Sequence, residues 1–536
     1  MPQLSAQTEN LLQRFATWRE SLKTKEMVST IHVDEVASKV ASFYEKIREI
    51  IEWKEEHLMK RVAINRNLKR RILFTNQSKS IAEPLILDLI RGGHFPNDQI
   101  PETKINEVEK ILDKYIYILN NASSIPENKK LSFSNWLLNI AACEIEEALS
   151  SSRKEIFLID YMTNIMNERI VIQERRVISF GGLTNEEKYI QVFIAVQRAL
   201  FKLDQPILAY FLLKKKFPTW CQLPSEQLQK ITLDILSIWE TIEKELNHPL
   251  KDKFYQICEK YDTPFLLLGD ILTDKIETEI NKKFSQPEIL EGLIKKAYQQ
   301  RLNTLKKRLS RAAIYSTLSI FLSKGILVWF TLEIPLAKLI TGHFTPLAIL
   351  VDILGPTLLM FSLVITVRPP AKSNLERVIL ETMKIVYRNE RPEIYELKIP
   401  RQRGLIMKFF IALLYLASTA LSFGLLIMVL RLVKLPITSY VVNIIFVALI
   451  AFAGLAIRNK SEELTVEEKR SGFFGFIFDI IFLPLVNFGH WLSNKWKKYN
   501  ALAIFFNALI DLPLQLFVEF IEQWRSFLKE EKEKIH

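Results

Sequence analysis

The chain has 536 residues, enough for two or three domains. Its 49% hydrophobic and 25% charged residues look globular on average, yet the formal charge of +12 is lopsided: residues 1–305 carry 43 Lys/Arg against 42 Asp/Glu, and residues 306–536 carry 29 against 18. The excess flanks apolar stretches instead of forming a patch on a soluble face, which argues against nucleic acid as a partner and matches the basic cytosolic connections of membrane proteins.

Glycine is scarce, 15 residues in all and six before residue 306, and no GxGxxG, GxxxxGK[ST] or GxSxG occurs. Phosphate-cradling loops need glycine for close backbone approach, so a Rossmann or P-loop enzyme is not expected. Cys143, Cys221 and Cys258 are far apart and form no CxxC, no HExxH occurs, and the seven histidines are dispersed. Neither a disulfide framework, a metal site nor a cofactor follows, and no nucleophile sits with a base. The first residues, MPQLSAQTENLLQRF, lack a basic run followed by an apolar core, so a cleaved signal peptide is not expected.

The expected fold class is all-α: a cytosolic helical domain over 1–305, then a helical membrane domain. The clearest helix runs from Val33 to about Phe74, where Val33, Val36, Val40, Phe43, Ile47 and Ile50 recur every three or four residues. It reads as one long helix packed in a bundle, with self-association through a heptad-like seam left open. Further helices are expected at about 103–121, 132–150, 153–177, 185–203, 224–246 and 263–280, with breaks at Gly92-Gly93, Gly181-Gly182 and Phe217-Pro218. No run alternates as a strand would. A last helix is expected to start at Pro287 and continue unbroken into the first membrane span, with Leu290, Leu293, Ala297, Leu302, Leu305 and Leu309 on one face.

Four segments in 306–460 are long and apolar enough to cross ~30 Å of hydrocarbon, at about 312–332, 347–367, 406–430 and 437–457. Lys306, Lys307, Arg308 and Arg311 precede the first, and the loop that follows it has only Lys338. Ten Lys/Arg fall in 368–408, two (Arg431 and Lys434) between spans three and four, and four (Arg458, Lys460, Lys469 and Arg470) after span four. This alternation places both termini and the loop 368–405 in the cytosol. Residues 461–536 add two apolar stretches, about 472–493 and 501–528, each with one polar stripe. They read as amphipathic helices lying in the interface, in preference to a spanning hairpin, because a hairpin would put Lys495, Lys497 and Lys498 outside. Trp491, Trp496 and Tyr499 suit headgroup depth as interfacial anchors.

Two ionisable residues fall within the first two spans. Counted from Ala312 and Val367 at about 1.5 Å per residue, Lys324 lies ~18 Å deep and Asp352 ~22 Å, close enough to pair. The pair reads either as a structural salt bridge or as a proton or ion relay. Pro335 and Pro356 are candidate kinks. His343, in the external loop, reads as a surface histidine.

The layout around Leu332-Glu333-Ile334-Pro335, Gly342-His343 and Asp352-Ile353-Leu354-Gly355-Pro356, with Ile194-Ala195-Val196-Gln197-Arg198-Ala199-Leu200 in the helical half, resembles uncharacterised bacterial multi-spanning membrane proteins predicted from uncultured lineages. That resemblance implies a bacterial origin and no activity. The sequence points to a non-enzymatic scaffold or anchor in the cytoplasmic membrane. Its partners would be the lipid bilayer and proteins docking on the helical domain, with homo-oligomerisation left open. The alternative is a transporter or channel subunit using Lys324 and Asp352.

Overall fold

Helices begin where polar groups satisfy the free N–H groups of a first turn. Thr184 accepts from the Glu187 N–H while Glu187 reaches back, a complete capping box for the helix Asn185–Phe201. Asp204 caps the helix Gln205–Lys216, and Pro287 occupies the first turn of Pro287–Ile320. The computed structural model is all-α, with seventeen α-helices and one two-stranded sheet among the described residues. Those residues are 3–23, 29–33, 56–72, 78–150, 153–172, 183–274, 283–324, 335, 346–367, 369–388, 393–397, 404–433, 435, 437–466, 473–499, 520, 523–524 and 527–528.

The chain divides into two compact units. One comprises Ser5–Phe265, Glu390–Lys398 and Ile504–His536. Its helices are α1 (Ala6–Lys23), α2 (Glu56–Ile72), α3 (Lys79–Arg91), α4 (Thr103–Asn121), α5 (Lys130–Leu149), α6 (Arg153–Arg169), α7 (Asn185–Phe201), α8 (Gln205–Lys216), α9 (Ser225–Leu246) and α10 (Lys251–Lys260). Helix α5 packs on α2, α4 and α8, and α7 packs on α6 and α10. The core includes Leu68, Ile86, Leu112, Leu137, Val196 and Leu213, all nearly or fully buried.

Two expectations change here. Val33 is not helical. Its N–H donates to Asn97 Oδ1 at 2.9 Å and its carbonyl accepts from Asn97 Nδ2 at 2.8 Å, an extended pairing no helix could make. The first described helix beyond it is α2, and Val36, Val40, Phe43, Ile47 and Ile50 lie outside the described residues. Helix α6 ends at Arg169, short of the expected 177, because the β-branched run Ile170-Val171-Ile172 forms β1. Its partner is remote: β2 (Tyr395–Leu397) pairs in parallel, Ile170 opposite Tyr395 and Ile172 opposite Leu397. Three residues are too few for alternation to show in the sequence. Tyr395 stacks on Tyr261 with centroids 4.1 Å apart, and its hydroxyl accepts from Arg169 Nη1 at 3.2 Å.

Helix α11 (Asp262–Thr273) carries the boundary to the second unit, Met1–Leu4, Leu266–Asn389 and Ile399–Ala503. Here lie α12 (Pro287–Ile320), α13 (Pro346–Ile365), α14 (Lys372–Val386), α15 (Leu405–Leu432), α16 (Ile437–Ser461) and α17 (Phe473–Tyr499). Helix α12 runs without a break through Lys306–Arg311 into the apolar stretch, with Leu290, Ile294, Ala297, Tyr298 and Leu305 buried on one face. The expected loop 368–405 instead contains α14. Asn374, Val378, Thr382 and Ile385 are buried along one side of α14, an amphipathic periodicity masked by the ten basic residues around it. Asn374 Nδ2 donates to Tyr298 Oη at 3.0 Å and to the Leu464 carbonyl at 2.7 Å, and Asn374 Oδ1 accepts from the Val466 N–H at 3.0 Å. One side chain thus joins α12, α14 and the segment after α16.

Among the described residues, α15 and the Ser439–Ser461 part of α16 are long and apolar enough to cross a membrane. Helix α13 is apolar but its Leu350–Ile365 stretch is shorter, and residues 325–334 and 336–345, which belong to the first expected span and its loop, lie outside the described residues. The expected helix over 472–493 is present as α17, and it packs on other apolar helices. Helix α17 packs against the middles of α15 and α16. Phe488 packs edge-on to Phe423 at 6.0 Å, and His490 lies 5.3 Å from the Phe452 ring. Gly489 makes the approach to α16 feasible, since a Cβ there would stand 2.1 Å from the Ala448 carbonyl oxygen. The second expected surface helix, 501–528, lies almost wholly outside the described residues.

Candidate functional site: a buried ion pair among apolar helices

Lys324, Asp352 and Asn443 come from three helices and meet in one place. The α12 ladder widens into a π turn over residues 321–324, which rotates Lys324 relative to a regular helix. Asp352 sits in α13, four residues before Pro356. Proline has no N–H, so the helical bond to the Asp352 carbonyl is missing even though α13 continues through Pro356. Asn443 sits one turn after Ser439 in α16.

Lys324 Nζ donates to Asp352 Oδ2 at 3.1 Å, and Asn443 Nδ2 donates to Asp352 Oδ1 at 2.6 Å and to the Ser439 carbonyl at 2.9 Å. The three residues are 1%, 1% and 3% exposed. Both carboxylate oxygens are therefore engaged, the condition under which a buried charge pair persists. The Ser439 hydroxyl is also buried and has no hydrogen-bond partner among the described residues. Towards the basic ends of the same helices, Met360, Val364, Ile450 and Ile457 form an apolar cluster. Gly454 lets α16 approach α13 there, since a Cβ would stand 3.1 Å from Leu363 Cδ1.

Sequence reasoning named Lys324 and Asp352 because charges are conspicuous in apolar runs; the structure brings them together. It missed Asn443, a neutral amide that hydropathy averaging absorbs. Of the other named residues, Pro356 is buried in α13, while Pro335 is exposed with its neighbours outside the described residues. Trp491 is exposed and stacks on Phe488 at 5.9 Å, and Trp496 and Tyr499 belong to α17. His343 lies outside the described residues.

The first unit holds a buried polar cluster of its own. Lys114 Nζ donates to Glu144 Oε1 at 2.5 Å and to the Trp220 carbonyl at 2.9 Å. Tyr115 Oη donates to Glu144 Oε2 at 2.6 Å and accepts from Trp220 Nε1 at 3.0 Å. Burial lowers the Lys114 pKa, opposed by Glu144, while burial and then Glu144 hold the Tyr115 hydroxyl well above its ordinary value. Beside it, Lys214 and Tyr210 both bond Glu147, at 2.7 and 2.6 Å. Glu146 lines a cavity of about 60 Å³ with Cys143, Ser150, Glu155 and Tyr210. Burial pushes its carboxyl up to about 8 against the opposing pull of Lys60 and Arg61. These groups are locked in hydrogen bonds or face a cavity with room for little more than water, so they read as core structure. Compared with protein families, with curated proteins and with solved structures, the chain matches none, so the reading of its function rests on these residues alone.

Proposed function

We propose that this is an integral membrane protein that presents its helical unit at the cytosolic face as a non-enzymatic scaffold or anchor. The observation that carries the reading is the surface of α15. Its most apolar window has a mean hydropathy of 2.2 and only 11% of it is buried; the figures for α16 are 2.5 and 33%. Core helices of a soluble protein bury such windows, and leaving them in water costs about 25 cal/mol per Å². Leu358, Phe361 and Ile365 on α13 and Ile314 on α12 are exposed in the same way, which supports counting α12 with its continuation to 332, and α13, as the first two of four spans. The basic ends of α12 and α16 meet on one side, since Leu309, Val367 and Ile457 share one apolar cluster, and this supports a cytosolic side there. With α16 as a ruler, Ala448 and Phe452 lie about 14 to 20 Å from its basic end, so α17, packed against both, enters the bilayer.

The anchor reading is favoured over transport by the closure of the Lys324–Asp352–Asn443 cluster, whose carboxylate has both oxygens engaged. Transport by the same pair is the second reading, favoured by the π turn at Lys324 and the buried Ser439 hydroxyl, which has no partner among the described residues.

Alkaline carbonate washing of membranes tests residence: the chain should stay in the pellet, and release into the supernatant would overturn the proposal. Leu131 is 77% exposed on α5, so a Leu131→Cys variant lacking the exposed Cys221 should react with an impermeant maleimide only after cells are opened. For role, the chain in proteoliposomes should pass no proton or cation current under an imposed gradient. A current abolished by Asp352→Asn would replace the anchor reading with the transport reading.

A further inference from the structure

Along the outer side of the second unit, α12 and α13 leave an open apolar groove of about 610 Å³, lined by Ala313, Thr317 and Phe321 on one wall and Thr357, Phe361 and Val364 on the other. Leu309 and Ile457 close its end at the basic ends of the helices. The stretch of α12 along it, Leu309 to Phe321, measures about 18 Å at 1.5 Å per residue, comparable with one leaflet of a ~30 Å hydrocarbon core. The helical rows that form the α12 wall continue, one turn further towards the N-terminus, into Lys306 and Lys307, and Arg311 stands beside the lining residue Ser310 at that end of the groove. All three are exposed and make no hydrogen bond or ion pair with any described residue. From Gly292 through Leu332 the sequence contains no Asp or Glu that could neutralise them.

We propose that this groove is a site for one anionic phospholipid of the cytosolic leaflet, its acyl chain lying between α12 and α13 and its phosphate met by Lys306, Lys307 and Arg311. The proposal rests on the membrane reading above. An apolar slot of one-leaflet length, capped at headgroup level by cations that make no ion pair with any described residue, is complementary to an anionic amphiphile along its whole length. A zwitterionic lipid fills the slot equally well but carries an ammonium that opposes the cationic cap. The three cations therefore supply the headgroup selectivity and the groove supplies retention.

The test uses the full chain in mild detergent, titrated with phosphatidylglycerol or phosphatidylcholine and read by native mass spectrometry of the retained lipid. The expected result is retention of phosphatidylglycerol at least about tenfold over phosphatidylcholine. That preference should vanish in Lys306→Gln/Lys307→Gln/Arg311→Gln and survive in Lys295→Gln/Lys296→Gln, a control on the same helix away from the groove. Ala313→Phe, which fills the slot, should lower retention of both lipids. Circular dichroism and size-exclusion profiles identify any variant that misfolds, and Thr317→Phe then replaces Ala313→Phe. Equal retention of the two lipids by the unaltered chain, or a preference that survives the triple substitution, would overturn the lipid site. Carbonate release separates the two failures: a chain that stays in the membrane pellet but shows no lipid preference sinks this inference alone.

Discussion

Each unit of the protein buries a lysine–carboxylate pair, and the two are built differently. In the helical unit, Lys114–Glu144 is one edge of a mesh: Tyr115 and Trp220 close hydrogen bonds around it, and the Trp220 carbonyl accepts a second hydrogen bond from Lys114. In the apolar unit, the brace on Lys324–Asp352 among the described residues is the Asn443 amide, which meets the second carboxylate oxygen. The difference follows from the surroundings. Helices rich in Leu, Ile and Phe offer few polar atoms, so the carboxylate there is met by a side-chain amide from a third helix. A core assembled from amphipathic helices has polar side chains to spare and ties the pair into a network.

The largest expected effects come from breaking either pair on one side. Glu144→Leu should cost about 3–5 kcal/mol, as should Asp352→Leu, because each strands a buried ammonium. Thermal unfolding of the detergent-solubilised chain measures both. The contrast sharpens when the partner is also removed. Lys324→Met/Asp352→Leu should return to within about 1–2 kcal/mol of the unaltered chain, since among the described residues the loss is the acceptor of the Asn443 amide. Lys114→Met/Glu144→Leu should remain further below it, since the buried Tyr115 hydroxyl loses its acceptor and the Trp220 carbonyl its donor. Equal recovery by the two double variants would show that the mesh around Glu144 adds nothing to the pair.

How much of this was legible in the sequence varies with the kind of signal. Helices whose ends are marked by capping residues or proline could be located closely: α4 fills the expected 103–121, α12 begins at Pro287, and α7 starts at its capping box. Helices α3, α8 and α10 were missed because they are short, and α1 because its apolar residues give no strong stripe. The β1–β2 pair was invisible because its strands are three residues long and far apart in sequence. In the candidate site, Lys324 and Asp352 stood out as charges against an apolar background, while Asn443 carries no charge and its spacing from Ser439 is ordinary for a helix. For α17 the polar stripe alone does not show which neighbours the helix meets. Two members of that stripe, Asn487 and His490, are exposed yet touch neighbouring helices: Asn487 lies 3.4 Å from Tyr415 Oη, and His490 lies beside Phe452.

That packing gives the next effect in size. Gly489→Ala would place a methyl group 2.1 Å from the Ala448 carbonyl oxygen, so α17 must shift away from α16. A loss of about 1–3 kcal/mol is expected from such overpacking. Gly292→Ala, at an exposed site with open space around it, should be neutral or slightly stabilising. If both substitutions behave alike in thermal unfolding, α17 does not press on α16 as described.

The smallest effect separates the units by pH. Glu146 belongs to the helical unit, and burial raises its carboxyl to about 8 against an ordinary value of 4.5. The folded state therefore holds a proton that the unfolded chain releases between those values. Stability from this group is fully present below about pH 4.5, declines as pH rises between the two values, and is gone above about 8. The helical unit should thus unfold at a lower temperature at pH 9 than at pH 6. Glu146→Gln, which keeps the neutral shape at every pH, should flatten that dependence while leaving other titrating groups as they are. The reporter must be local, for example the fluorescence of Trp220, which is fully buried in this unit. A pH dependence that persists unchanged in Glu146→Gln would mean that the Glu146 carboxylate is ionised in the folded chain at neutral pH, with Lys60 and Arg61 outweighing its burial.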